Sequence, residues 1–234
     1  MKVTENNNHL RYCKVLQYLF IVCALFGMLL YFTSCATVYG SPAAAASDTQ
    51  SLLVEGAHTL LGVDKLVVRG KRFTRDCVGT ICAIYYYAGI DLAGGLVNYT
   101  GGGVTRMYKY LNAHKLIYRT QNPRIGDIIF WNNTVDKDGD GKMDDGLTHV
   151  GMVVGVREDG TIDYVHNDYR QGIVIAQMNL NKPNVMGEVV GGKWKMINTP
   201  VRIKVAGQEN PDMLLSGQLC SWLGKGYKLK KTER

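Results

Sequence analysis

One cysteine and two histidines have the types and surroundings that nucleophilic acyl transfer requires. Cys77 lies in RFTRDCVGTICAIYYYA, residues 72 to 88, where a polar turn runs into an apolar stretch. After Asp76, the residues Val78, Ile81, Cys82, Ile84 and Tyr85 recur at helical spacing, and Gly89 supplies a stop. The spacing predicts a helix with one buried face that begins at the cysteine. A thiol in a first helical turn is close to unpaired backbone N–H groups and the positive end of the helix dipole, which favour thiolate over thiol and can hold an oxyanion. His149 and His166 fall in the runs THVGMVVGV and TIDYVH, which are rich in β-branched residues and read as strands. If residues 157 to 160 form a four-residue hairpin loop, Val156 pairs with Thr161 and His149 stands opposite Asp168. His166 is then the diagonal neighbour of His149 on one face, within reach of a hydrogen bond. An odd-length loop without a bulge would separate the two rings.

A second cluster is acidic. In DKDGDGKMDDG, Asp136, Asp138, Asp140 and Asp144 alternate with glycine and lysine in the spacing of a calcium loop. Leu147 stands at position twelve in place of a bidentate Glu, so the expected Ca²⁺ site is weak or differently closed, with Asp145 available to complete it. No CxxC or HxxxH spacing supports zinc.

The elements that must position these groups follow from periodicity. Val104, Met107, Tyr108 and Leu111 keep helical spacing, and from Asn122 onward IGDIIFW, THVGMVVGV, TIDYVH and GIVIAQM alternate with turn residues. The expectation is an α+β domain, with the Cys77 helix packed on an antiparallel sheet carrying His149 and His166. Gly191, Gly192 and Trp194 suggest a turn into a last strand from Met196 to Val205.

DCVGT followed by an aromatic-rich helix and AGIDL resembles the nucleophile segment of NlpC-type cell-wall cysteine peptidases, and GDIIFW with THVGMVV resembles their histidine block. The resemblance implies a papain-like fold and catalysis by Cys77, His149 and an orienting His166. It implies hydrolysis of peptidoglycan stem-peptide amides, with a γ-D-glutamyl to diamino-acid bond expected. The CHAP amidases have similar Cys and His blocks. Val78 stands where the family usually has Ser, and VDKLVVRGKRF has no counterpart of the upstream Tyr that usually supports the oxyanion. A non-catalytic calcium-stabilised wall-binding lipoprotein, or an acyltransferase with the same Cys-His chemistry, is the alternative.

Residues 1 to 34 combine a basic start with VLQYLFIVCALFGMLLYFT and read as an export signal. FTSCA resembles a bacterial lipoprotein processing site, which implies lipidation of Cys35 and attachment to the membrane; Ala36 after it resembles the outer-membrane sorting pattern, facing the periplasm. An uncleaved anchor remains the alternative, since about 20 apolar residues span a bilayer. Residues 35 to 50 are small and polar, as in a flexible tether, and the peptidase domain is expected over 51 to 206 with an Asp-rich insertion at 132 to 146. Residues 207 to 234 read as a basic, solvated tail, which accounts for much of the net charge of +7 and points to anionic wall or lipid rather than nucleic acid. No organic cofactor is expected. Cys77, Cys82 and Cys220 remain after processing, too few for a disulfide framework, although Cys82 and Cys220 could bridge in an oxidising compartment.

Overall fold

The computed structural model describes residues 47–203 and 213–232. The expected signal segment, Cys35 and most of the expected tether lie outside these residues. Among the described residues, no helix is long and apolar enough to cross a membrane.

The first helix, α1 (Asp48–Thr59), begins inside the stretch expected to be tether. Ser47 caps it: its hydroxyl accepts from the Gln50 N–H, and Gln50 Oε1 accepts from the Ser47 N–H at 3.0 Å. Gln50 also donates to the Ile125 carbonyl at 2.7 Å, which ties this end of the helix to the loop before the sheet. A short hairpin of β1 (Val67–Val68) and β2 (Lys71–Arg72) then leads into α2 (Cys77–Tyr87). After it come α3 (Leu92–Leu96), α4 (Gly103–Ala113) and the strands β3 (Ile117–Tyr118), β4 (Ile128–Trp131), β5 (His149–Val156), β6 (Ile162–Asp168) and β7 (Gly172–Met178).

These strands belong to one antiparallel sheet, which the strands expected from the sequence do not complete. Its order is β3-β10-β4-β5-β6-β7, where β10 (Cys220–Gly224) comes from the segment read as a solvated tail. Leu223 pairs with Ile129 on one side and Tyr118 on the other, so the strand is internal to the sheet. The lysines after residue 224 suggest solvent, but Leu214, Leu215, Leu219 and Leu223 are buried, and their burial outweighs the local charge. The expected last strand from Met196 to Val205 is also corrected. Lys193–Met196 is β9, paired with β8 (Gly187–Val190) in a separate hairpin turned by Gly191 and Gly192.

Both faces of the sheet are covered, which is why β4 reads IIFW and is buried at every position. On one face Ile128, Phe130, Val150, Met152 and Val165 pack with α1, α2 and α4 through Leu53, Ile81, Ile84, Tyr85 and Met107. On the other, Ile129, Trp131, Val153, Tyr164 and Met178 pack with Leu219 and Leu223. The helix α2 is buried on all sides from Gly79 to Tyr85 rather than along one face, because α1, α4 and the sheet surround it. Cys82 and Cys220 are free thiols in the cores on opposite faces, so they do not bridge.

The start of β4 is fixed by a buried carboxylate. Asp127 accepts the Arg124 N–H at 2.6 Å and the Tyr118 hydroxyl, while Tyr85 donates to the Gly126 carbonyl at 2.5 Å. Burial pushes Asp127 up to about 6 despite these donors.

A chain ended at residue 206, the boundary the sequence suggests, lacks the strand between β3 and β4. We expect it to show no cooperative urea transition by circular dichroism, whereas the full chain shows one. Cooperative unfolding of the shortened chain at the full-length midpoint would contradict the placement of β10.

Candidate active site

Cys77 is the first residue of α2, and its position is set by the tight turn before it. Asp76 is the N-cap: its Oδ1 accepts from the Gly79 N–H at 2.7 Å, and its carbonyl accepts from the Thr80 hydroxyl at 2.8 Å. Gly79 has no side chain because none fits; a Cβ there would lie 2.0 Å from the Thr74 carbonyl oxygen. The backbone N–H groups of Val150, Val78 and Cys77 approach the sulfur, so the thiol lies between the helix start and the residue that follows His149. The segment upstream, where the expected Tyr is missing, forms the β1–β2 hairpin. The helix-start N–H groups are therefore the candidates for holding an oxyanion.

His149 opens β5 opposite Trp131 of β4. The indole stacks on the imidazole, with ring centroids 5.5 Å apart and planes 30° from parallel. Gly151 leaves room for that indole, since a Cβ there would lie 2.9 Å from Trp131 Cη2. The indole Nε1 donates to the Ser216 carbonyl at 2.8 Å, so the C-terminal segment orients the ring that supports His149.

His166 is 3 % exposed and its Nδ1 lies 3.0 Å from His149 Nε2, a hydrogen bond between the two rings. The expected diagonal arrangement is present, reached by a different route. The loop spans five residues, with Val156 paired to Ile162, and a bulge between Val153 and Gly155 resets the register so that Gly151 faces His166. The odd loop and the bulge cancel, and both imidazoles return to one face.

Cys77, His149 and His166 line one cleft of about 1130 Å³, together with Asp168, Arg75 and Arg170. Burial pushes the Cys77 thiol up to about 11, and the Asp76 carboxylate adds to the rise, against the backbone N–H groups that oppose it. Desolvation thus opposes the thiolate that the helix N-terminus favours. His149 is driven down to about 3 by burial and then by His166, and His166 down to about 4 by burial. The negative Asp168 opposes both shifts. Burial thus favours the neutral form of the thiol and of both imidazoles that line the cleft.

The acidic loop joins β4 to β5, between Trp131 and His149. Asp136, Asp138 and Asp145 each place an oxygen within 4.8 Å of the others, a set able to hold a cation. Asp140 instead pairs with Lys142 at 2.7 Å, and Asp144 is outside the group, so two of the four expected ligands do not converge. The carboxylates of the set also order the loop: Asp136 accepts the Gly139 and Gly141 N–H groups, and Asp145 accepts that of Lys137.

The sequence by itself marks no role for Trp131, Ser216 or Asp168. Trp131 ends the run IIFW and Asp168 falls opposite His149 in the expected hairpin, but nothing local marks the carbonyl of Ser216 as the indole's acceptor.

The buried neutral rings carry a pH dependence. Their folded pKa values lie below the ordinary value of about 6.5, so their contribution to stability is complete above that pH and is lost as pH falls toward about 3. The urea midpoint is expected to drop between pH 7 and pH 5, with a shallower drop in His166→Gln. Equal slopes in the two proteins would show that His166 is not buried as a neutral ring.

Comparison with known proteins bears on the same residues. The family model described as CHAP domain matches residues 69–168, a span that includes Cys77, His149, His166 and Asp168. No curated protein and no solved structure matches the chain. The match is to the group whose Cys and His blocks resemble those of the NlpC type, and the mixed helix and antiparallel sheet agree with it. Residues 69–168 of this chain are thus similar to a CHAP domain, a domain type that implies peptidoglycan hydrolysis in general.

Proposed function

We propose that this protein cleaves stem-peptide amide bonds of peptidoglycan with Cys77 as nucleophile, His149 as base and His166 as the residue that orients the base. The observation that carries this reading is the hydrogen bond between His149 Nε2 and His166 Nδ1 in the cleft that also holds Cys77. That bond occupies Nε2 of His149 and leaves Nδ1 for the thiol. With its proton on Nε2, donated to His166 Nδ1, the ring presents an unprotonated Nδ1 as a base.

The neutral resting pair implies general-base attack rather than a standing ion pair. As the sulfur bonds the amide carbon, its proton passes to His149 Nδ1, and the carbonyl oxygen gains charge that the helix-start N–H groups stabilise. The imidazolium then returns that proton to the leaving nitrogen as the C–N bond breaks. Water, deprotonated by the same Nδ1, attacks the thioester and releases the acid and the free thiol. The Asp168 carboxylate favours the transient imidazolium electrostatically.

Digestion of purified peptidoglycan with fragments identified by mass tests this assignment. Cys77→Ala is expected to abolish release of new amine and carboxylate ends. His149→Ala should lower kcat/KM by about 10²–10⁴-fold, the range of a positioned general base. A smaller loss is expected for His166→Gln, because water can replace an orienting group. Undiminished cleavage by Cys77→Ala would end the cysteine mechanism.

We also propose that Asp136, Asp138 and Asp145 bind Ca²⁺, which would order the loop that ends at His149. Asp138 is exposed and the charges lie close together, conditions that suit the weak end of the range, about 10⁻⁴–10⁻³ M. Millimolar Ca²⁺ should raise Tm by mass action, and the rise should vanish in Asp138→Asn with Asp145→Asn but persist in Asp144→Asn. A rise that depends on Asp144 would point to a different ligand set, and no rise at all would remove calcium from the account.

A further inference from the structure

The charges around the cleft are uneven in how they are used. Asp76 and Asp168 have their carboxylates committed to the chain: Asp76 to the Gly79 N–H at 2.7 Å, and Asp168 Oδ1 to the N–H groups of Arg170 and Gln171, each at 2.8 Å. Arg202 is buried and donates to the Asn133 carbonyl. Arg75 and Arg170 differ from these, because both are exposed and both line the cleft.

Their placement brings them to one rim. Arg75 is two residues ahead of Cys77, and its Nη2 lies 3.5 Å from the point where a Cβ would stand on Gly172. Gly172 opens β7 directly after the turn that carries Arg170. Arg75 therefore reaches from the nucleophile loop across to that turn. Its ion-pair partner is Asp64 at 3.1 Å, whose side chain is 84 % exposed. A pair that open to water contributes little and exchanges readily. Arg170 has no side-chain partner among the described residues.

We propose that Arg75 and Arg170 form a carboxylate-binding subsite at the rim of the cleft. It would select peptides with a free carboxylate close to the scissile amide over the same peptides bearing a carboxamide. The proposal rests on the reading of the cleft as an amide-cleaving site. A guanidinium presents forked donors that match both oxygens of a carboxylate. A carboxamide offers one acceptor oxygen and turns an N–H group toward the cation, so it loses both the charge and the second bond. Arg75→Lys keeps the charge without the fork and should fall between the two extremes.

Two synthetic peptides, L-Ala-γ-D-Glu-L-Lys-D-Ala with the glutamyl α-carboxylate free or amidated, test the subsite by titration calorimetry. The binding protein is the full-length chain carrying Cys77→Ala, which holds the peptide uncleaved. The free acid is expected to bind about tenfold tighter than the amide, a difference in the range of a charge-assisted hydrogen bond. Adding Arg75→Gln and Arg170→Gln should bring the two within about twofold, and Arg75→Lys should retain part of the preference. Lys193→Gln, a charge removed from the β8–β9 hairpin, should leave the preference whole. Equal binding of the two peptides, no binding of either at millimolar concentration, or a preference unchanged by the two Gln substitutions would overturn the subsite. A cleavage assay with Cys77 intact separates the two levels of the argument. Cleavage of both peptides without preference sinks the subsite and leaves the hydrolase reading standing. A binding preference without cleavage sinks the hydrolase reading and leaves the subsite.

Discussion

The hydrogen bond between His149 and His166 is the constraint on which the rest of the site depends. It requires two side chains on neighbouring strands to share a face, and a slip of one residue would send one of them to the opposite core. The β5–β6 hairpin meets that requirement by pairing an odd loop with a bulge at Val154, two irregularities that compensate. The bulge is therefore part of the site although it is distant from it along the strand. It also fixes Gly151 opposite His166, which opens the space that the Trp131 indole fills.

The indole links the geometry of the candidate site to the C-terminal segment. Trp131 is held by the Ser216 carbonyl and stacks on His149, while β10, four residues after Ser216, runs alongside β4. The proposed nucleophile and base thus hang on different supports. Cys77 depends on a local cap and on the close approach that Gly79 allows, whereas His149 depends on strand pairing across more than 80 positions of sequence. The first kind of support forms with the helix itself. The second exists only when the whole sheet is assembled.

Burial sets the electrical state of the site. In water, a thiol at a helix start beside an imidazole would tend to ionise. Enclosed against the sheet, both groups are held neutral, because desolvation penalises each charged form more than the nearby dipoles and Asp168 recover. In the proposed mechanism, charge separation is deferred until a substrate carbonyl is present to take up the electrons. The same low-dielectric surroundings make the helix-start N–H groups more effective toward an oxyanion than they would be in an open groove.

What the sequence by itself determined is whatever short-range periodicity encodes. The cap at Asp76, the helix that begins at Cys77, and the strands that place His149 and His166 are written in side-chain spacings of two, three and four, and local sterics enforce them. Even the choice between one face and two for the histidines was legible as a condition on the loop, though not how the condition would be met. Tertiary structure alone decided the remainder. Strand β10 enters the sheet because its leucines and tryptophan find partners in β3 and β4, and the charges that follow it gave the opposite impression locally. The acidic loop converges on Asp145 rather than Asp140 and Asp144 because Lys142 draws Asp140 aside and the β4–β5 connection brings Asp145 back beside Asn133. The neutral thiol follows from enclosure by distant strands, and desolvation depends on everything that surrounds a group, which no window of sequence contains.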